Sequence, residues 1–152
     1  MFHHHFSLSA WVCFIICLTA GCGGGYAVTG KVTFPDGEPL TVGSVMFTNG
    51  STTAFGDINA KGEYRMGMKK AGSGIPAGTY QVYIADARME GDPAFADTME
   101  DGSKVIPLIL AIDPKFGSAS RSDLVCEVKG KTVFNIPVTK PPASYNPYLK
   151  PD

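Results

Sequence analysis

Apolar and polar side chains alternate in short segments along most of the chain after residue 25. In residues 26–34, Tyr26, Val28, Val32 and Phe34 occupy alternate positions, and a glycine takes the remaining one. Successive side chains of a β-strand point to opposite faces, so this period predicts a half-buried strand. Five later segments repeat it, with predicted inward residues Val45 and Phe47; Tyr64, Met66 and Met68; Tyr80, Val82 and Ile84; Leu124, Cys126 and Val128; and Phe134, Ile136 and Val138.

Turn residues separate these segments at short spacing. Asn49-Gly50 predicts a hairpin because both residues tolerate positive φ, and residues 51–57 then form a further strand. No window after residue 25 shows a sustained helical period with caps. The pattern therefore predicts an all-β chain, a seven-stranded antiparallel β-sandwich with a Greek-key connection.

Two stretches break the alternation. Residues 87–104 are polar and acidic, and we interpret them as a long loop. Residues 140–152 are rich in proline, which cannot donate to a strand ladder, so an extended tail is predicted there. A solvated loop is the ordinary interpretation of residues 87–104, and Ca²⁺ binding or a protein contact are the alternatives. The residues that would form an interaction loop are Glu90, Asp92, Phe95, Asp97, Glu100 and Asp101.

The beginning of the chain has a different composition. Residues 6–20 are uncharged and mainly apolar, but about 15 residues are short for a bilayer, which takes roughly 20. The segment suits a secretory signal peptide, and an uncleaved anchor or a core helix is the alternative that would leave Cys22 unmodified. Small residues, Thr19, Ala20 and Gly21, come directly before Cys22.

This junction resembles the signal of bacterial lipoproteins. The resemblance implies cleavage between Gly21 and Cys22, and lipidation of the Cys22 thiol by diacylglycerol with further acylation of its amino group. It also implies a membrane partner through the lipid. Gly23 follows the cysteine, where an Asp resembles an inner-membrane retention signal in some bacteria, so an outer-membrane location is expected. The expected organisation is a signal peptide (1–21), a lipidated tether (22–25), a β-sandwich domain (26–139) and a tail (140–152).

The sandwich segments resemble the carboxypeptidase regulatory-like or prealbumin-like (transthyretin-type) domain, as it occurs in small bacterial envelope lipoproteins. The matching residues are Gly30 and Val32; Gly37 and Pro39; Val45 and Phe47; Asp57, Gly62 and Tyr64; and Pro76, Gly78, Tyr80 and Val82. The resemblance implies a prealbumin-like or immunoglobulin-like Greek key. It also implies a non-catalytic domain of the kind that accompanies enzymes, surface modules and transport proteins. It says little about a ligand, because function depends on sites carried by the fold.

Charge and residue usage exclude several kinds of chemistry. The 13 basic and 14 acidic side chains leave no basic surface field of the kind that nucleic acids require. All three histidines lie at positions 3–5, so the mature chain lacks the parts of a Ser-His-Asp centre or a common zinc site. Cys126 shares the apolar face of its predicted strand with Leu124 and Val128, so it is expected to be a buried hydrophobe. No catalytic residue, metal or cofactor is therefore predicted.

Two local motifs have weaker alternative interpretations. DINAKGEY, from Asp57, resembles half of a calcium loop, but Met68 stands where a bidentate Glu is needed, so a hairpin turn is preferred. Asp57 and Glu63 flank this turn and are the carboxylates that a hydrolase would use, the least favoured function.

We therefore expect a lipid-anchored, non-catalytic module of the cell envelope that contacts an unidentified envelope protein. The alternative is binding of a glycan or a small ligand on exposed aromatic side chains, for which Tyr83 and Tyr148 are the candidates.

Overall fold

The alternating segments form strands in the computed structural model of the protein, which describes residues 25–146 and Tyr148. The predicted signal peptide, the Gly21–Cys22 bond and Cys22 lie outside the described residues. The boundaries of the signal, tether and tail therefore stay predictions. Within the described residues, no helix has the length and apolar character to cross a membrane.

The strands fall into three groups along the chain. The first group is β1 (Val28–Thr33), β2 (Ser44–Thr48), β3 (Thr53–Asp57), β4 (Glu63–Arg65) and β5 (Gly78–Ala85). The second is β6 (Arg88–Glu90), β7 (Asp97–Thr98), β8 (Lys104–Val105) and β9 (Leu108–Leu110). The third is β10 (Leu124–Val128), β11 (Thr132–Val133) and β12 (Ile136–Pro137). Two 3-10 turns, Pro93–Phe95 and Pro114–Gly117, complete the secondary structure of the described residues.

Two four-stranded sheets face each other and share one core. In sheet 1, β1 is central, with β4 on one side and β11 and β12 on the other. Sheet 2 has the order β10-β5-β2-β3, and all its pairs are antiparallel. The ring of Phe47 in sheet 2 meets that of Phe134, beside sheet 1, edge to face at 6.1 Å. The all-β class and the antiparallel character of sheet 2 are thus confirmed.

The inner faces are those that the alternation predicts. Burial alternates along β2 and β5, because one face of each strand is packed and the other is open. The fully enclosed side chains include Val28, Val32, Val45, Phe47, Tyr64, Met66, Tyr80, Val82, Ile84, Val128 and Ile136. Two predicted inward residues, Tyr26 and Met68, are exposed. Each lies just beyond the end of a strand, where no opposite sheet covers it.

Sheet 1 differs from the antiparallel prediction. β1 pairs in parallel with both β11 and β12, with Val28 opposite Thr132 and Val32 opposite Ile136. The reason is topological: β10 ends beside Gly78, where β5 begins, so β11 starts at the same end of the sandwich as β1. A short turn at 129–131 then leaves the two strands running in the same direction.

The seventh predicted strand is interrupted at Phe134 and Asn135. The Lys31 amide donates to the side chain of Asn135 at 3.1 Å instead of to a strand carbonyl. The Phe134 carbonyl accepts a hydrogen bond from the hydroxyl of Tyr64. Two short strands, β11 and β12, therefore replace one continuous strand.

The stretch 87–104 is not the irregular loop that its polarity suggests. β6 pairs with β9, and β7 pairs with β8, so the stretch forms two narrow antiparallel ribbons, with the β7–β8 hairpin inserted between the two strands of the β6–β9 ribbon. We call residues 88–110 the arm. Its strands were not predictable from alternation because β6, β7 and β8 are exposed on both faces, and the partner of β6 lies beyond the polar stretch.

Candidate interaction arm and its clefts

Acidic side chains shape the turns of the arm. The carboxylate of Asp92 accepts a hydrogen bond from the Ala94 amide at 2.8 Å and caps the first 3-10 turn. The carboxylate of Asp101 accepts one from the Ser103 amide at 2.9 Å at the tip of the β7–β8 hairpin. Hydrogen bonds from Ser103 lower the pKa of Asp101, because they stabilise the charged carboxylate. At least two of the predicted loop carboxylates thus have a local structural role.

The six predicted loop residues are all exposed, but they lie at separate places. Glu90 ends β6, Asp97 begins β7, and Glu100 lies in the turn between β7 and β8. In the part of the chain that the structure describes, no three His, Cys, Asp or Glu side chains come together as a metal site would require.

Large apolar side chains are exposed along the same arm. They are between 49% and 60% exposed, and they are Met89, Phe95, Met99, Val105 and Leu108. We call them the apolar surface of the arm. Sequence reasoning identified Phe95 but did not assign Val105 or Leu108, although the apolar run at 105–110 was a visible signal.

The C-terminal segment packs against the arm. The ring of Tyr148 stacks on that of Phe95, with centroids 4.0 Å apart and planes 15° from parallel. The Asp92 amide donates to the Tyr148 hydroxyl at 2.8 Å. Tyr148, expected to be an exposed aromatic platform, therefore has one face covered by Phe95. Tyr83, the other platform candidate, is half-buried on the outer face of sheet 2, opposite Met46.

Two clefts lie beside the β6–β9 ribbon. Met89 and Ile109 are paired across the ribbon and line a cleft of about 560 Å³, which we call the apolar cleft. Arg88 and Leu110, the next pair, line a second cleft of about 440 Å³. Leu110 and Tyr145 border both clefts, so the two clefts adjoin each other.

The second cleft is lined by more charged side chains than the apolar cleft. Asp86, Arg88, Asp113 and Arg121 all line it. Asp86 has φ +53°, and among the described residues it is the one non-glycine with positive φ. This conformation turns the chain out of β5 and into the arm, and Asp tolerates it better than most residues do.

The side chains considered for catalysis have structural surroundings. Cys126 is 3% exposed, and its burial raises the pKa of the thiol. Asp57 accepts a hydrogen bond from the Ser44 hydroxyl at 2.7 Å, and Glu63 accepts one from the Asn59 side chain at 3.2 Å. Both carboxylates border a depression of about 310 Å³.

The DINAKGEY segment is a turn, as expected from the sequence, but it is not the turn of a hairpin, because it connects β3 of sheet 2 to β4 of sheet 1. The side-chain oxygen of Asn59 accepts hydrogen bonds from the amides of Lys61 and Glu63, so it is directed into the turn. Gly62 has φ +76°, a conformation that a side chain would strain.

Comparison with models of protein families and with curated protein sequences finds no match to this chain. Among solved structures, the chain is similar to a DUF3823 family protein from Bacteroides ovatus, with 18% identity and a TM-score of 0.42 over 76% of this chain. A DUF3823 family protein from Parabacteroides merdae has 14% identity and a TM-score of 0.40 over 76% of this chain. The major pilin subunit of Bacillus cereus has 11% identity and a TM-score of 0.38 over 78% of this chain and 30% of its own. The alignments span 45% and 46% of the two DUF3823 proteins, so the chain matches less than half of their length.

Proposed function

We propose that this protein is a lipid-anchored, non-catalytic module of the bacterial cell envelope that binds a partner protein through the arm. The observation that carries the proposal is the apolar surface of the arm, five large side chains about half exposed on one structural unit. Large exposed apolar side chains grouped among polar residues are typical of interaction sites. Met89 and Leu108 belong to neighbouring pairs of the β6–β9 ribbon, so this apolar surface includes both faces of the arm. The stack of Tyr148 on Phe95 supports part of this surface in a defined position.

The charges of the arm indicate the chemistry of the partner. Residues 88–110 contain five acidic and two basic side chains, a net charge of −3, on a chain whose total is −1. An apolar surface surrounded by carboxylates is complementary to an apolar patch bordered by Lys and Arg. The proposed partner surface is therefore basic, and association should slow as salt screens the attraction.

The position of the arm suits a module anchored at Cys22. Tyr26 pairs with Ile75 at the end of the sandwich where β1 begins, and β5 begins close by at Gly78. β5 then runs for eight residues, about 23 Å at 3.3 Å per residue, to the end from which the arm leaves. An anchor a few residues before Tyr26 would leave the arm at the end of the domain away from the membrane.

The prealbumin-like assignment is part of the proposal, and Gly30 supports it. A side chain at Gly30 would collide with the Phe134 carbonyl and with the Tyr64 hydroxyl. The glycine in the first strand and the tyrosine in the fourth therefore depend on each other, which explains why the resemblance includes both. The non-catalytic assignment is supported by the burial of Cys126 and by the hydrogen bonds that hold Asp57 and Glu63 beside their turn.

Two experiments test the two halves of the proposal. The intact mass of protein extracted from membranes should match residues 22–152 plus acyl chains, and a chain that begins at Met1 without modification would exclude the anchor. For the arm, cross-linking in native envelopes should recover a protein partner. Met99→Asp or Leu108→Asp should abolish this cross-linking.

Val125→Asp is the matched control for the arm variants. Val125 is as exposed as the arm residues, at 53%, but it lies on β10. Cross-linking of the Val125→Asp protein should still recover the partner protein. Equal loss in Val125→Asp and Leu108→Asp, or binding to a glycan array with no protein partner recovered, would overturn the arm as the interaction site.

A further inference from the structure

The apolar cleft lies where the arm, the segment after β1 and the C-terminal segment meet. Its walls are residues 38–42, Met89 with residues 109–111, and residues 140–145. Its volume of about 560 Å³ falls within the 300–1,000 Å³ that small-molecule sites occupy. The cleft and the apolar surface of the arm share Met89 and otherwise involve different residues, so ligand binding here can be tested separately from the proposed protein partner.

The lining is apolar and contains several rigid side chains. Phe34 and Tyr145 contribute rings, Pro39, Pro141 and Pro142 contribute pyrrolidines, and Leu40, Val42, Ile109 and Leu110 contribute aliphatic surface. Rings and prolines lose little conformational entropy when a ligand is bound, which favours a preformed site. Such a lining suits an apolar ligand body and gives a carbohydrate few hydrogen-bonding partners.

A cationic side chain borders the same space. The ammonium of Lys140 lies 5.4 Å from the centroid of the Phe34 ring, and both residues line the cleft. Within the described residues no acidic side chain forms an ion pair with Lys140. Glu38 also lines the cleft, and both charged side chains are exposed. Lys140 is the one whose ammonium lies over a ring of the lining.

We propose that the apolar cleft binds a small amphiphile, with its apolar body against Phe34, Ile109 and Tyr145 and an anionic headgroup beside Lys140. A carboxylate near this ammonium forms a charge-assisted hydrogen bond, while the apolar body is removed from water. Aliphatic and aromatic acids share this chemistry, and the test separates them.

Calorimetric titration in detergent-free buffer compares three ten-carbon probes that differ only in the headgroup: decanoate, decanol and decylamine. A fourth probe, 2-naphthoate, represents the aromatic acids. Decanoate or 2-naphthoate should bind at least fivefold more tightly than decanol, and decylamine should bind most weakly. Lys140→Gln should lower decanoate affinity to that of decanol, whereas Glu38→Gln should not weaken it.

Adjacent residues of β9 provide a matched pair of blocking variants. Ile109→Trp fills the apolar cleft and should abolish binding, whereas Leu108→Trp, one position away on the other face, should leave affinity within twofold. Thr41→Trp is a second blocking variant at an exposed position of the lining, and it serves if Ile109→Trp does not fold.

Three outcomes would overturn the site. They are saturable binding that survives both blocking variants, tighter binding of decylamine than of decanoate, and no heat of binding for either acid at millimolar concentration. None of these outcomes depends on the partner or on the lipid anchor. The proposed ligand site can therefore be refuted without refuting the proposed function, and the reverse is also true.

Discussion

Replacing Gly30 by Ala should destabilise this protein more than any single change at its surface. Gly30 is central in sheet 1, opposite Tyr64 of β4, whose hydroxyl reaches across it to donate to the Phe134 carbonyl. A methyl group on Gly30 would overlap that carbonyl oxygen and lie 2.8 Å from the Tyr64 hydroxyl. The substitution therefore adds a steric clash and breaks a hydrogen bond.

The magnitude follows from separating these two effects. Tyr64→Phe removes only the hydrogen bond and leaves a partly buried carbonyl without this donor, which costs about 1–2 kcal/mol in the free energy of unfolding. Gly30→Ala loses the same bond and adds overpacking worth about 1–3 kcal/mol. We expect roughly 2–5 kcal/mol in total for Gly30→Ala. In Gly30→Ala/Tyr64→Phe the combined cost should be less than the sum, because the two changes share one contact.

Urea unfolding followed by circular dichroism measures these free energies, and Tyr83→Phe is the control. Tyr83 is half-buried on the outer face of sheet 2, and no hydrogen bond of its hydroxyl is present among the described residues. Its loss should cost less than about 0.5 kcal/mol. A Gly30→Ala protein as stable as Tyr64→Phe, or strictly additive costs in the double variant, would refute the reasoning.

Three further predictions concern other parts of the molecule. Burial raises the pKa of Cys126 and of Tyr64, so both stay protonated in the native state after the unfolded chain ionises. The free energy of unfolding should then fall above about pH 9, by up to about 1.4 kcal/mol per pH unit for each group, and Cys126→Ala should flatten the first part of this fall. Maleimide should label native Val125→Cys within minutes but Cys126 only after unfolding, because Cys126 is buried and Val125 is exposed; equal labelling rates would contradict the assigned faces of β10. Tyr148→Ala should speed hydrogen exchange of the Asp92 amide at least tenfold, since that amide loses its acceptor, while core amides keep their rates; unchanged exchange at Asp92 would show that the stack is not populated in solution.

Much of the sandwich could be predicted from the sequence because its strands have one buried face. Val45, Phe47, Tyr80 and Ile84 alternate with outward residues, and the structure encloses each of them. Predictions failed beyond the strand ends, at Tyr26 and Met68, where the period continues but the covering sheet does not.

The candidate site was only partly predictable. The acidic stretch indicates Glu90, Asp92 and Phe95, but its sequence predicts an irregular loop, because strands that are exposed on both faces show no alternation. The apolar cleft could not be predicted, because its walls come from residues 38–42, the arm and residues 140–145, which are far apart along the chain. Only long-range folding brings them together.

By itself, the sequence determined the all-β class, the inward faces of the main strands and the burial of Cys126, because these follow from local period and side-chain chemistry. It also predicts the lipidation signal at Cys22, where a short apolar segment meets small residues. The tertiary structure decided the parallel pairing of β1 with β11 and β12, the ribbons of the arm and the docking of Tyr148 on Phe95. Those features depend on which end of the sandwich each strand begins at and on contacts between distant segments, and no local pattern encodes either of them.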